Sequence, residues 1–259
     1  MNARALETQL RSLRLLRERV ETWEVYPFSV PCIRTLDHLE FKGRITFFVG
    51  ENGSGKSTLL EAIADHCGFS SEGGSRNMRI QTTESSSAIE PLSRALRLSW
   101  TKQNKKGFFL RAESFFNWAT VLDGDAGLLE PYGGRSLHKQ SHGESFLALV
   151  TNRFFRKGLY LMDEPEAALS PDRQLALLRV IHDLLHGNHH IQFFIATHSP
   201  FLLAYPGAQI LNFDGERISE IAYEETPAFR LYSGFIRSPE RYVRKLLEDD
   251  QMPLLKAEE

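Results

Sequence analysis

Four short apolar runs punctuate the chain: Ile45-Thr46-Phe47-Phe48-Val49, Phe108-Phe109-Leu110, Leu159-Tyr160-Leu161-Met162 and Ile191-Gln192-Phe193-Phe194-Ile195-Ala196. They are near-continuous rather than alternating, which predicts strands covered on both faces, as in parallel sheets. Other apolar positions recur at helical spacing. Leu59, Leu60, Ile63, Ala64 and Cys67 form one such stripe. Phe146, Leu147, Leu149, Val150 and Phe154 form a second, and Leu175, Leu178, Ile181 and Leu185 a third. Helices interleaved with strands of this kind predict an α/β fold.

The remaining segments read less sharply. Leu6, Leu10, Leu13 and Val20 predict an amphipathic N-terminal helix with Arg4, Arg11, Arg14, Arg17 and Arg19 interleaved. Glu7, Glu18 and Glu21 balance those arginines, so a solvated face is expected there. Tyr26-Pro27-Phe28-Ser29-Val30-Pro31 is expected to be extended, because each proline disfavours helix in the residue before it. Ser70–Ser75 and Thr82–Ser87 read as mobile loops, and Glu113–Trp118 as the start of a helical piece. Asp214-Gly215 between Ile210–Phe213 and Arg217–Ile221 is a hairpin signal. Ser238-Pro239-Glu240 opens the last helix.

The densest chemistry lies at Gly50-Glu51-Asn52-Gly53-Ser54-Gly55-Lys56-Ser57-Thr58. Glycine, four residues, then Gly-Lys-Ser, set between a strand and a helix, is the phosphate-binding loop pattern. Glycines let backbone N–H groups turn inward around phosphate oxygens, where a Cβ would obstruct. The helix starting near Lys56 adds the positive end of its dipole. The Lys56 ammonium is expected at the β- and γ-phosphates, and the Ser57 hydroxyl on Mg²⁺.

Asp163-Glu164 ends the Leu159–Met162 run. The C-terminal end of a parallel strand is where such sheets bind ligands. Asp163 can hold Mg²⁺ and Glu164 can orient or deprotonate an attacking water. His198, at the tip of the Ile191–Thr197 strand, can donate to a γ-phosphate and position water. Ser141-His142-Gly143-Glu144-Ser145 opens a helix with Ser141 as N-cap and Glu144 at the capping-box position. A serine–glycine helix start is also suited to a phosphate.

Whole-chain properties narrow the class. The 259 residues suit one large domain, or one domain with a small insertion. A formal charge of −2 provides no overall field for nucleic acid or an anionic membrane, though a local basic patch stays open. Two cysteines, Cys32 and Cys67, give no disulfide framework and suit a reducing, cytoplasmic setting. No run approaches the length of a membrane span.

Taken together and in order, these motifs resemble the ABC-type ATPase superfamily. They look closest to its small, soluble AAA-family ATPases, similar to RecF and SMC heads but without a coiled-coil arm. The resemblance spans roughly Val25 to Asp214. It implies a P-loop NTPase fold, an ABC-ATPase-like three-layer sandwich with a mainly parallel central sheet. A small helical or irregular lid subdomain is implied at about residues 70–157, within a single domain of residues 1–259. It places the Walker A motif at Gly50–Thr58, the signature at Ser141–Ser145 and Walker B at Leu159–Glu164. The D-loop falls at Glu166–Ser170 and the switch histidine at His198.

Two departures stand out. His142 fills the first glycine position of the usual signature and Glu144 its glutamine position. The Q-loop glutamine is missing; Glu113, a further candidate Mg²⁺ ligand, and Gln103 compete for its place. Tyr26 or Phe28 is the candidate for adenine stacking. The resemblance implies ATP and Mg²⁺ as ligands, ATP hydrolysis, and a homodimer that closes on ATP as a switch. In that dimer, Ser141, Gly143 and Glu144 would cap nucleotide held by the partner. The rival readings are a nucleotide-binding subunit of an ABC transporter, a DNA-repair or defence ATPase, and a regulatory module that binds ATP with little turnover.

Overall fold

The computed structural model describes residues 8–70, 73–75, 85–101, 106–115, 142–154, 157–187 and 190–248. Its centre is a six-stranded sheet. β3 (Ile45–Val49), β5 (Gly107–Arg111), β6 (Gly158–Asp163), β7 (Ile191–Ala196), β8 (Gln209–Asn212) and β9 (Ser219–Glu220) lie in the order β5-β6-β7-β3-β8-β9. The first five are mutually parallel, and β9 returns antiparallel to β8 around Asp214-Gly215. Every residue of β3, β6 and β7 is buried, as their near-continuous apolar runs require.

Neighbouring strand residues point to opposite faces, so each run feeds two cores. Phe48 and Phe194 face a core completed by α2 (Lys56–His66) and α3 (Ser85–Ala95), including Leu59, Leu60, Ile63 and Leu92. Phe47, Tyr160 and Phe193 face the other, closed by α4 (His142–Arg153) and α5 (Pro171–Gly187) through Phe146, Phe154, Leu177 and Ile181. Two helical layers thus sandwich the sheet. A smaller antiparallel sheet, β2-β1-β4, joins the first core through β1 (Leu10–Leu15), β2 (His38–Glu40) and β4 (Leu96–Trp100).

Several expectations are corrected. The amphipathic N-terminal helix is not formed at Leu10–Leu15: this stretch is β1, paired with β2 and β4. Its register shifts between Leu10 and Ser12, so Leu10, Leu13 and Leu15 are buried at a spacing that imitates a helix. Tyr26–Pro31 is not extended; the chain turns there and Pro31 opens a short helix, α1 (Pro31–Arg34). Ser85–Ser87 begin α3 rather than finishing a loop. The buried stripe of α5 is Gln174, Leu177, Ile181 and Leu185, and Leu175 is exposed. Only the first two positions move back by one, where Gln174 buries its amide through hydrogen bonds of its own.

Beyond β9 the chain forms α7 (Pro227–Arg237) and α8 (Pro239–Glu248), after the short α6 (Pro200–Leu203). α7 lies outside the sequence expectations; Thr226, fully buried, caps it by accepting from the Phe229 N–H. Of the stretch expected as a lid, β5 belongs to the central sheet and β4 to the small one.

Candidate functional site

Parallel pairing brings five strand ends to one edge. The register sets Arg111 opposite Asp163, Asp163 opposite Ala196, Phe48 opposite Ala196 and Val49 opposite Asn212. The residues that follow β3, β6, β7 and β8 therefore share a single crevice at the C-terminal edge.

Gly50–Thr58 leaves β3 into this crevice. Gly50, Gly53 and Gly55 hold φ of 144°, 80° and 102°, a left-handed backbone that side-chain-bearing residues resist. A Cβ on Gly50 would stand 2.8 Å from Ser54 Oγ, and one on Gly55 2.8 Å from Cys32 Sγ. Glu51, Asn52 and Gly53 are exposed on the loop's outer turn. The loop is braced from β8: Asp214 Oδ1 accepts the Glu51 N–H at 2.6 Å. Lys56 is buried, 4% exposed, and its Nζ donates to the carbonyls of Gly50 and Glu51 at 2.8 Å each. Burial lowers the Lys56 ammonium below its ordinary range, and Glu164, Asp163, Asp214 and Glu166 draw it back up.

Ser57 Oγ donates to Asp163 Oδ1 at 2.9 Å. Arg111 packs on the other side of the same carboxylate, its Nε 3.7 Å from Oδ2, and pairs with Glu61 and Glu113 at 3.1 Å each. Burial pushes the Asp163 carboxyl up; Arg111 and then the Ser57 hydroxyl pull it back towards the charged form. Ser57, Arg111, Glu113, Asp163 and Glu164 line a cavity of about 320 Å³. Glu113 is largely exposed there, with Arg111 as its ion-pair partner.

Glu164 is the one non-glycine residue with positive φ among those described, at φ 48° and ψ 51°. Its N–H donates to the Ala196 carbonyl at 2.9 Å, tying it to β7. Its Oε1 lies 3.7 Å from His198 Nε2. Desolvation, then the Lys56 charge, lowers the His198 imidazole below its ordinary value, which keeps the ring neutral at pH 7.

The other candidates lie as follows. Gly143 is buried at the start of α4, where a Cβ would meet the Arg173 side chain at 2.5 Å; Glu144 pairs with Arg173 at 3.2 Å. Neither lines the Ser57–Asp163 cavity. Phe28 is a core residue, 4% exposed with its ring edge-on to Trp23, and this removes it as a stacking platform. Tyr26 is half-exposed, its hydroxyl 3.3 Å from Thr58 Oγ1. Ser141 and Gln103 lie outside the described residues. Sequence reasoning missed Arg111 and Asp214. Arg111 directly follows the Phe108–Leu110 run and Asp214 reads as a turn, and neither has a local signature for the crevice.

Two family models match: an AAA domain over residues 30–126, and "AAA domain, putative AbiEii toxin, Type IV TA system" over residues 132–204. The join between them falls after β5, so the phosphate loop lies in the first and Asp163-Glu164 with His198 in the second. The chain thus matches AAA-domain models over both halves of the crevice and is similar to ABC-type ATPases. A curated relative is the zinc import ATP-binding protein ZnuC of Vibrio cholerae, 29% identical over 160 residues, 58% of this chain and 57% of that protein. The chain thus spans little more than half of ZnuC. Solved structures include the SMC head domain from Thermotoga maritima, with TM-score 0.46 and 15% identity over 83% of this chain and 99% of that one. Another is cbiO1 from Clostridium perfringens, part of the ABC transporter complex cbiONQ, with TM-score 0.49 and 14% identity over 93% of this chain and all of that one. At these scores neither bears on what the chain does.

The residues of the crevice fit a magnesium nucleotide on three counts. Gly55 caps α2 without a side chain, so the first-turn N–H groups have no capping oxygen and suit a phosphate. Ser54 Oγ is buried in the loop with no hydrogen-bond partner among the described residues. The Ser57 hydroxyl and Asp163 carboxylate, bonded to each other, offer hard oxygens of the kind Mg²⁺ prefers.

Proposed function

We propose that this chain binds ATP with magnesium, hydrolyses it, and pairs with a second copy in the ATP-bound form. One observation carries the reading: the Lys56 loop, the Ser57–Asp163 pair and the Glu164–His198 pair meet at one edge of one parallel sheet. The Gly50–Thr58 loop and Lys56 hold the phosphates. Ser57 and Asp163 hold Mg²⁺, which supplies charge neutralisation on the phosphate oxygens. Glu164, 44% exposed at the cavity wall, takes the proton of the attacking water at its carboxylate. Neutral His198 has one ring N–H to donate and one lone pair, which suits it to orient that water or a phosphate oxygen.

The dimer rests on the family resemblance. Ser141, Gly143 and Glu144 would close over nucleotide held by the partner copy, excluding bulk water. Loss of the γ-phosphate would reopen the pair and make it a switch. Cys32 and Cys67 are both buried and neither is in a disulfide, which supports a reducing cytoplasmic setting.

The deciding experiment measures phosphate release and nucleotide affinity for the unaltered chain, Lys56→Ala and Glu164→Gln. Lys56→Ala should lose ATP binding. Nucleotide affinity equal to that of the unaltered chain would refute the site. A second reading is the nucleotide-binding subunit of an importer, favoured by the likeness to ZnuC. No helix among the described residues is long and apolar enough to cross a membrane, so that reading needs a separate membrane-spanning partner. Recovery of such a partner with the tagged chain would favour it.

A further inference from the structure

The loop leaving β6 carries a carboxylate with no role in the reading above. Glu166 follows Glu164 by two residues, and it reaches across to the tip of β7. Its Oε1 accepts the backbone N–H of His198. The other oxygen, Oε2, is buried with no hydrogen-bond partner among the described residues. Burying a carboxylate is costly unless it is paired or well hydrogen-bonded. Here the hydrogen bond that offsets the burial comes from the His198 main chain.

The geometry between these two stretches is tightly determined. Glu164 sits in the left-handed region, a conformation that persists where neighbouring structure enforces it. Pro165 fixes the next φ, and the Ala167 N–H closes back on the Glu164 carbonyl at 3.0 Å. A second tie lies farther along. Gln174 Nε2 donates to the Leu169 carbonyl at 3.0 Å, and its Oε1 accepts the Ser199 hydroxyl at 2.5 Å. Both side chains are buried. Residues 164–169 and 196–199 are therefore one hydrogen-bonded unit, closed at one end by Glu166 and at the other by Gln174. The 3.7 Å approach of Glu164 Oε1 to His198 Nε2 is set inside it.

We propose that Glu166 is a positioning residue: by holding the His198 main chain, it keeps the imidazole beside Glu164. The proposal rests on the roles given above to Glu164 and His198. What it requires of Glu166 is an acceptor at Oε1, not a charge. Glu166→Gln supplies that oxygen at nearly the same place. Glu166→Ala removes it, leaves the His198 N–H without its acceptor, and frees the peptide to turn.

The test uses the full chain and five proteins: unaltered, Glu166→Ala, Glu166→Gln, His198→Ala and the Glu166→Ala/His198→Ala double variant. Steady-state ATP hydrolysis, nucleotide affinity and hydrogen exchange at the His198 amide are read on each. Glu166→Ala should lower kcat by about 10- to 100-fold, the range expected when a reacting group is displaced by a fraction of an ångström to an ångström. ATP affinity should stay within about twofold, because the Lys56 loop is untouched. Glu166→Gln should keep most of kcat. Amide protection at His198 should fall in the alanine variant and persist in the glutamine variant. In the His198→Ala background, Glu166→Ala should add less than about a twofold loss, since it acts through the missing ring.

Independent, multiplying losses in the double variant would overturn the proposal, as would an alanine variant with the kcat of the unaltered chain. If Glu166→Ala does not fold, the glutamine variant decides: full kcat with an unprotected His198 amide would refute the tie. Failure of the ATPase reading is distinguishable. In that case the unaltered chain releases no phosphate, while exchange at His198 still reports whether Glu166 holds it.

Discussion

Ser57 and Asp163 are joined by a 2.9 Å hydrogen bond across 106 positions of sequence. The bond brings the first turn of α2 and the end of β6 to the same point, with two oxygens suited to one small, hard cation. Ser57→Ala removes one of them and leaves Asp163 with Arg111 alone. Nucleotide affinity in the presence of Mg²⁺ should then fall by about tenfold or more, the usual scale for a hydrogen bond to a charged group. Affinity measured with chelator should fall much less. Isothermal titration with and without Mg²⁺ reads both, and an equal loss in the two conditions would separate Ser57 from the metal.

Arg111 is a stability element as well as a lining residue. It is 18% exposed and sits among Glu61, Glu113 and Asp163, two of which are largely buried. Removing one partner of a buried pair leaves an uncompensated charge, which typically costs about 3–5 kcal/mol. Partial exposure reduces that, so Arg111→Ala should lower unfolding free energy by about 2–4 kcal/mol. Arg111→Lys should lose less, because it keeps the charge but not the forked geometry. Urea midpoints with an unchanged m-value check this.

Glu164→Gln keeps shape and hydrogen bonding but cannot take a proton from water. Turnover should fall by about 10²- to 10⁴-fold with ATP affinity nearly unchanged. In the ATP-bound state the variant should run as a dimer on size exclusion, because the step that reopens the pair is blocked. Normal turnover would remove Glu164 from its role.

His198 gives a pH signature with a definite sign. Its imidazole has an ordinary value of 6.5, and burial together with Lys56 lowers it in the folded chain. As pH falls, the unfolded chain takes up the proton first. The stability tied to neutral His198 is therefore complete above about 6.5 and is lost as pH drops through 6.5 towards the lower folded value. Between pH 7 and pH 5 the decline in unfolding free energy should be shallower in His198→Asn than in the unaltered chain. An unchanged slope would show that the ring is not held neutral by the fold.

Where sequence and structure agree, the signal is local. β3, β6 and β7 are each a short apolar run buried on both faces, and the Gly50–Thr58 motif carries its own strand–loop–helix context. Where they part, the cause is non-local. β1 hides because a shift in register breaks its alternation. The start of the α5 stripe is set by Gln174, whose partners Leu169 and Ser199 belong to other segments. Arg111 and Asp214 enter the crevice through strand pairing alone, which no window along the chain reveals. α3 is masked by its serines and by Pro91 within the helix. Phe28 was ambiguous because an aromatic beside prolines suits either a core or a ligand, and burial against Trp23 decides for the core.

Two glutamine amides act at the opposite rim of the molecule. Gln192, fully buried in β7, exchanges hydrogen bonds with the Leu10 backbone in both directions, and Gln9 Nε2 donates to the Gly158 and His190 carbonyls. Each amide mimics a peptide group and stitches β1 to strands it never pairs with. The leading strand is thus a keystone: trimming the chain to the motif-bearing core would strip donors and acceptors from the floor of β6 and β7, far from any ligand, and loosen the frame on which the crevice stands.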